Sequence, residues 1–224
     1  MPMTASRVEL VCFDLGGVLV QVAEGWAEAA RRAGVLGDAP IDMGAISAAL
    51  WNIKYRWKTG RATTLEFAEA IAREESGMSV AQVLAMFDAM MLGMYPRAAE
   101  LLAAPHRTGI RTACLSNTND RHWDALMADP AYEAVRRVDY LFPSHLIHHA
   151  KPEAEAYRFV EKATRTVPQG ILFFDDLEEN VAAARQCGWT AEWIPPDLNP
   201  PGRVMEHLKR YGVLERSGAS GLTE

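Results

Sequence analysis

The sequence predicts an α/β fold, a Rossmann-like doubly wound parallel sheet with an inserted helical cap subdomain. Short apolar runs that do not alternate with polar residues recur along the chain, which is typical of parallel strands covered on both faces. Amphipathic helical segments separate the later runs, and alternation of strand and helix favours a parallel sheet. Between the first two runs lie about ninety residues with helical signals only, too many for a single crossover.

The first apolar run is Val8 to Phe13, which ends in Asp14 and opens into the glycines of a tight turn. The other predicted strands are Ile110 to Leu115, Val138 to Phe142, Ile171 to Phe174 and Thr190 to Ile194. The helices predicted between them are Arg97 to His106 after Pro96, Glu153 to Ala163, and Asn180 to Cys187 followed by Gly188 as a C′ glycine.

Helical signals divide the region 20–95 into about four helices. Ala45 to Trp57 places Ile46, Leu50, Ile53 and Trp57 on one helical face. Capping boxes are predicted at Thr63-x-x-Glu66 and Ser79-x-x-Gln82. We therefore predict a core of residues 1–19 and 96–216, a helical cap of residues 20–95, and a disordered tail of residues 217–224.

Composition and charge exclude several classes of protein. The formal net charge of −6 and the isoelectric point near 5.6 argue against a surface for nucleic acid or anionic membranes. No apolar stretch approaches the roughly 20 residues of a membrane span, and no signal peptide is expected at the amino terminus. Three separated cysteines fit a reducing compartment, so we expect a cytoplasmic protein; monomer and homodimer both stay open.

Polar groups follow four of the predicted strands. Asp14 follows the first, Ser116-Asn117 the second, Lys151 the third and Asp175-Asp176 the fourth. The carboxyl ends of parallel strands meet at one edge of the sheet, so we expect these groups to converge. Three carboxylates repel unless a cation joins them, and an oxygen-only site suits Mg²⁺. With Lys151 and Ser116 as partners for a phosphate, the pattern predicts phosphoryl transfer.

Each of these residues also has a structural interpretation. Asp14 could brace the glycine turn, and Ser116 and Asn117 could cap a helix or bond to a loop. Asp176 with Glu179 could form a capping box, and Lys151 could be a solvated loop charge. Only the combination of all four favours a catalytic site.

The ordered motifs resemble those of the haloacid dehalogenase-like hydrolase superfamily. They are Asp14-Leu15-Gly16-Gly17-Val18-Leu19, Ser116-Asn117-Thr118, Lys151-Pro152, and Asp175-Asp176 with Asn180. The resemblance covers nearly the whole chain, including a cap inserted after the first strand. It is strongest to a bacterial branch of sugar phosphatases typified by α-D-glucose-1-phosphate phosphatase.

The resemblance implies a Mg²⁺-dependent phosphatase that acts on a small phosphorylated metabolite such as a sugar phosphate. Asp14 would be the nucleophile and form an aspartyl-phosphate, with Ser116 and Lys151 as further catalytic residues. Ser116, the Asn117 backbone and Lys151 would bind the phosphoryl group. Mg²⁺ would be held by Asp14, the Gly16 carbonyl and the Asp175–Asp176 pair, with Asp176 as the direct ligand of that pair.

Gly16 departs from the pattern of most phosphatases of the superfamily, which have a second aspartate there as general acid and base. The sugar-phosphatase branch also has glycine at this position. The departure keeps open a catalytically weak protein that binds phosphorylated metabolites. Metal-independent dehalogenation of 2-haloacids is the other alternative, against which the charged pair Asp175-Asp176 counts.

Two further groups of side chains invite a functional interpretation. His145, His148 and His149 lack the spacing of a metal site, and we predict a loop cluster near the mouth of the active site. Trp26, Trp51, Trp57 and Met90-Met91 have helical spacing and are predicted to be core, with some lining a substrate pocket.

Overall fold

The computed structural model describes residues 7–35, 50–74, 78–196 and 199–214. The predicted tail 217–224 and Ile46 lie outside the described residues. The described residues form seven strands: β1 (Leu10–Phe13), β2 (Val20–Val22), β3 (Met91–Met94), β4 (Arg111–Ser116), β5 (Tyr140–Pro143), β6 (Ile171–Asp175) and β7 (Thr190–Trp193).

The described helices fall into two groups along the chain. Between β2 and β3 lie α1 (Trp26–Arg32), α2 (Trp51–Lys58), α3 (Thr64–Glu74) and α4 (Val80–Asp88). After β3 come α5 (Ala98–His106), α6 (Asp120–Ala128), α7 (Glu133–Arg136), α8 (Ser144–Ile147), α9 (Ala154–Thr164), α10 (Glu178–Gln186) and α11 (Pro200–Arg210). Two short 3₁₀ helices span Pro130–Tyr132 and Pro168–Gly170.

Five parallel strands form the central sheet in the order β5-β4-β1-β6-β7. The chain moves from β1 to β4 on one side and later to β6 on the other. The end of β1 therefore lies at the point where the strand order reverses, which is where α/β sheets bind ligands. This sheet confirms the predicted fold class.

Helices cover both faces of the sheet, so the strands are apolar throughout. On one face Val11 and Phe13 pack in a cluster with residues of α5 and α11, such as Leu101 and Leu208. On the other face Leu10 and Cys12 pack with residues of α9 and α10. Burial on both faces explains why the strands read as continuous apolar runs.

The region between β2 and β3 has a core of its own. Trp57 stacks on Phe67, with ring centroids 4.6 Å apart, and both contact Phe87. The reciprocal bonds of the predicted capping boxes are present at Thr63 with Glu66 and at Ser79 with Gln82. The division of the chain at residues 20 and 95 stays a prediction.

One local prediction was wrong, and another differs from the structure by one residue. The prediction that region 20–95 contains helices alone missed the antiparallel strands β2 and β3 at the two ends of this region. The helix predicted from Arg97 begins at Ala98, because Arg97 adopts a left-handed conformation with φ of 67°. Among the described residues, no helix is both long and apolar enough to cross a membrane.

Candidate functional site

Asp14 leaves the end of β1 at the centre of the sheet. Its backbone N–H donates to the Phe174 carbonyl at 2.8 Å, which extends the pairing of β1 with β6 by one residue. Its side chain is buried, and Oδ1 accepts a 2.7 Å hydrogen bond from the Leu15 N–H. The strand thus fixes the carboxylate at the carboxyl edge of the sheet.

Lys151 connects two of the predicted carboxylates. Its Nζ lies 2.9 Å from Asp14 Oδ1 and 2.6 Å from Asp175 Oδ2, and its side chain has no exposed surface. Burial alone would lower the pKa of Lys151, but Asp14 and Asp175 outweigh it and hold that pKa above its ordinary value. Lys151 is therefore a fixed buried cation, and the interpretation as a solvated loop charge is wrong.

Asp175 is the last residue of β6 and Asp176 follows it, and the two carboxylates differ in the hydrogen bonds that they already accept. Asp175 accepts from Lys151 through Oδ2, and its Oδ1 accepts from the Leu177 N–H and from Asn180 Nδ2, each at 2.9 Å. Asp176 is half-buried and forms no ion pair with the described residues. Helix α10 has Leu177 as its N-cap without a side-chain bond, so the alternative of an Asp176–Glu179 capping box is wrong.

One oxygen from each of Asp14, Asp175 and Asp176 lies within 4.8 Å of the others. Burial, with repulsion from Asp175 and Asp176, raises the pKa of Asp14 to about 7 even though Lys151 opposes it. Burial and Asp175 raise the pKa of Asp176 to about 6. One ammonium cannot balance three ionised carboxylates, and the two uncompensated charges match a divalent cation bound by oxygen.

Gly17 leaves room for this cluster. It has φ of +73°, and a Cβ atom on it would overlap the Asp176 carboxylate. Only glycine satisfies both the backbone conformation and the close approach. The donor set and this space together fit a metal ion of the Mg²⁺ type.

Ser116 is the last residue of β4, the neighbour of β1, and Asn117 follows it. The Asn117 side chain bonds to the Lys151 backbone twice, from Nδ2 to the carbonyl at 2.7 Å and to Oδ1 from the N–H at 2.8 Å. Ser116 is buried, and both residues line a cavity of about 80 Å³ that Gly16 also lines. The structure thus places Ser116, Asn117 and Gly16 beside one another, as the sequence predicts.

A second cavity of about 180 Å³ lies between the helical region and the loop after β4. Trp26, Trp57 and Met90 line it from the helical side, and Asn117 and Asn119 line it from the core. Trp51, by contrast, is 68% exposed. The prediction that these apolar residues are core therefore holds for Trp57, which is buried, and fails for Trp51.

Comparison with known proteins assigns the family. Residues 8–188 match the haloacid dehalogenase-like hydrolases. The chain belongs to that family. A phosphatase of Mycobacterium tuberculosis is 31% identical over 151 residues, which cover 66% of this chain and 69% of that protein.

Solved structures share the fold of this hydrolase. A family enzyme of Bacteroides thetaiotaomicron, in complex with magnesium and inorganic phosphate, has a TM-score of 0.70 at 23% identity and covers 84% of this chain and 95% of its own. The L-2-haloacid dehalogenase of Xanthobacter autotrophicus, with chloropropionic acid covalently bound, has a TM-score of 0.57 at 20% identity, over 84% and 78%.

Sequence reasoning missed the residues that join the helical region to the core of this hydrolase. His122 on α6 donates from Nε2 to the Phe87 carbonyl at 2.7 Å and accepts at Nδ1 from Asn119. This assignment of the ring follows because a carbonyl can only accept. Arg121 forms a two-point ion pair with Asp88 of α4. The sequence signal that could have indicated these contacts is the adjacent polar pair Arg121-His122 near the start of the amphipathic helix α6.

Two of the three histidines before Lys151, His145 and His148, lie at the same junction. His148 Nδ1 bonds to the Thr59 carbonyl at 2.9 Å, and His145 packs edge-on against Trp123. His149 lies near Phe159. None of the three lines either cavity described above. His145 and His148 lie beside Gly60 and Arg61 of the helical region, whereas His149 lies against helix α9 of the core.

Proposed function

We propose that this hydrolase is a Mg²⁺-dependent phosphatase that acts on a small phosphorylated metabolite through an aspartyl-phosphate on Asp14. The observation that carries the proposal is the group of three carboxylates around one buried ammonium at the end of β1. Dehalogenation at a metal-free aspartate does not need two further acids within 4.8 Å of the nucleophile. Likeness to the Mycobacterium phosphatase supports the same reaction.

Asp14 is the nucleophile in this proposal. Its Oδ attacks phosphorus, the bond from phosphorus to the leaving oxygen breaks, and that oxygen takes up a proton. Water then attacks the same phosphorus, the bond to Asp14 breaks, and inorganic phosphate leaves. Lys151 favours the ionised form of Asp14, because its charge opposes the burial that raises the pKa of this carboxyl.

The other predicted residues bind the ligands. Ser116, the Asn117 backbone N–H and Lys151 hold the phosphoryl oxygens through charge-assisted hydrogen bonds. Asp14, the Gly16 carbonyl, Asp175 and Asp176 would hold the metal. Bound Mg²⁺ would supply neutralisation of negative charge on the phosphoryl oxygens. Asp175 is already held by Lys151 and Asn180, which leaves Asp176 as the freer ligand.

Gly16 narrows the substrate class. A carboxylate at this position would protonate the leaving oxygen, and such general acid catalysis contributes about 10²–10⁴-fold in rate. Without it, substrates whose leaving oxygen is weakly basic are favoured. The anomeric oxygen of a sugar 1-phosphate is less basic than that of an ordinary alcohol. We therefore propose a sugar phosphate, with the phosphate on the anomeric carbon, as the substrate.

Hydrolysis of p-nitrophenyl phosphate tests this function. We expect activity with Mg²⁺, loss in chelator, and recovery when Mg²⁺ is returned. Asp14→Asn should abolish hydrolysis, whereas Asp124→Asn, at an exposed position of α6, should not change it. Chloride release from 2-chloropropionate in chelator, without phosphatase activity in Mg²⁺, would replace the proposal with dehalogenation.

A further inference from the structure

Lys58 brings a positive charge from the helical region to the cavity beside the site. It is the last residue of α2, half-buried, and lines the cavity of about 180 Å³ together with Asn117 and Asn119 of the core. Its backbone carbonyl accepts a 2.7 Å bond from the Ser144 hydroxyl. This bond fixes the end of α2 on the core, so the Lys58 side chain lines the cavity from a backbone that is held in place.

The Lys58 ammonium forms no ion pair with any carboxylate in the described part of the chain. Among the described residues, no carboxylate lies within 4.0 Å of its Nζ, whereas the Lys151 ammonium contacts both Asp14 and Asp175. Burial lowers the pKa of Lys58, and Lys54 and Lys151 lower it further, whereas Glu179 raises it. A half-buried ammonium that two other lysines repel costs free energy unless an anion binds beside it.

Two features indicate that Lys58 does not bind the phosphoryl group that is transferred to Asp14. That group has its own cation in Lys151, which contacts Asp14 directly. Lys58 instead shares its cavity with Trp26 and Trp57, whose apolar faces suit the carbon skeleton of a sugar rather than a phosphate. The cavity is below the roughly 300–1,000 Å³ typical of sites for drug-sized ligands, so it fits a fragment of a small metabolite.

We propose that Lys58 binds an anionic group on the leaving-group part of the substrate, a carboxylate or a second phosphate. The inference rests on the proposed phosphatase function and sets its substrate class: a phosphorylated sugar with a second negative charge remote from the reacting phosphate. Lys58 is a specificity-determining residue and takes no part in bond breaking.

Three hexose 1-phosphates that differ only at C6 test the proposal. Glucose 1-phosphate is neutral there, glucuronic acid 1-phosphate has a carboxylate, and glucose 1,6-bisphosphate has a phosphate. The wild type should prefer one or both charged compounds, and which one it prefers identifies the anion. Lys58→Gln should lower kcat/KM for the preferred compound about tenfold to a hundredfold through KM. Activity on glucose 1-phosphate should change less than about twofold.

Two variants control for indirect effects. Lys54→Gln removes the same charge one turn earlier on α2 and should leave the preference intact. Lys58→Arg keeps the positive charge and should retain most of the preference for the charged compound. An equal loss on all three compounds in Lys58→Gln, or an equal effect of Lys54→Gln, would overturn the proposal. So would an unchanged preference in Lys58→Gln.

Calorimetry separates failure of this inference from failure of the proposed function. Binding of glucose 1,6-bisphosphate and of glucuronic acid 1-phosphate to Asp14→Asn with Mg²⁺ requires no turnover. If the wild type hydrolyses no phosphate ester, the proposed function fails. Even then, adding Lys58→Gln to the Asp14→Asn variant should weaken binding of one of the two compounds about tenfold to a hundredfold. Unchanged affinity for both compounds would contradict the role of Lys58.

Discussion

Replacement of Lys151 by methionine tests how the candidate site is held together. The ammonium contacts Asp14 and Asp175, and the Lys151 and Asp175 side chains are fully buried, so solvent screens the pair little. Methionine fills similar volume without charge and leaves the two carboxylates facing each other. Removing one partner of a buried ion pair typically costs about 3–5 kcal/mol, and we expect a loss in this range.

Urea unfolding in chelator measures this loss. With a slope of about 2–3 kcal/mol per molar urea, the midpoint of Lys151→Met should fall by roughly 1–2.5 M. Mg²⁺ should reduce the difference, because it supplies positive charge to the same carboxylates. Lys162→Met, at an exposed position of α9, should stay within about 0.5 kcal/mol of the wild type. A Lys151→Met protein as stable as this control in chelator would refute the reasoning.

Two further predictions concern the metal cluster and the junction with the helical region. Gly17→Ala should weaken Mg²⁺ binding about tenfold or more in calorimetry, because its Cβ would displace the Asp176 side chain. The control is Gly34→Ala, at a glycine with a similar positive φ but open space around it. This variant should change stability and leave Mg²⁺ binding unchanged. Burial lowers the pKa of His122, so folding keeps the ring neutral while the unfolded chain binds a proton near pH 6.5. The free energy of unfolding should therefore fall more steeply on acidification below about pH 6.5 in the wild type than in His122→Gln, and equal pH dependence would contradict this role.

The fold class could be predicted because its signals are local and strong. Burial on both faces gives continuous apolar strands, and Gly188, with φ of +90°, ends α10 where the sequence indicates. The β2–β3 pair could not be predicted in the same way. Strand β2 has three residues, β3 contains Gly93, and the register shifts near Gln21, so neither shows a clear alternating pattern.

The predicted site residues could be identified because each ends or follows a strand, and parallel strands bring their ends to one edge. The structure brings Asp14, Lys151, Asp175 and Asp176 together, and their roles in binding and catalysis stay proposals. Lys58 gave no such signal, since in sequence it is one charge at the end of an amphipathic helix. Its position beside Asn117 depends on how α2 packs on the core, and helical periodicity does not encode that packing.

Capture of beryllium fluoride by Asp14, followed by fluorine NMR, tests the central claim most directly. This anion mimics a phosphoryl group on an aspartate and requires the nucleophile and the metal together. The account predicts a protein-bound fluorine signal in the wild type with Mg²⁺ that disappears in chelator and in Asp14→Asn. A wild type without a bound signal in Mg²⁺, or a signal that persists in Asp14→Asn, would contradict an aspartyl-phosphate at this residue.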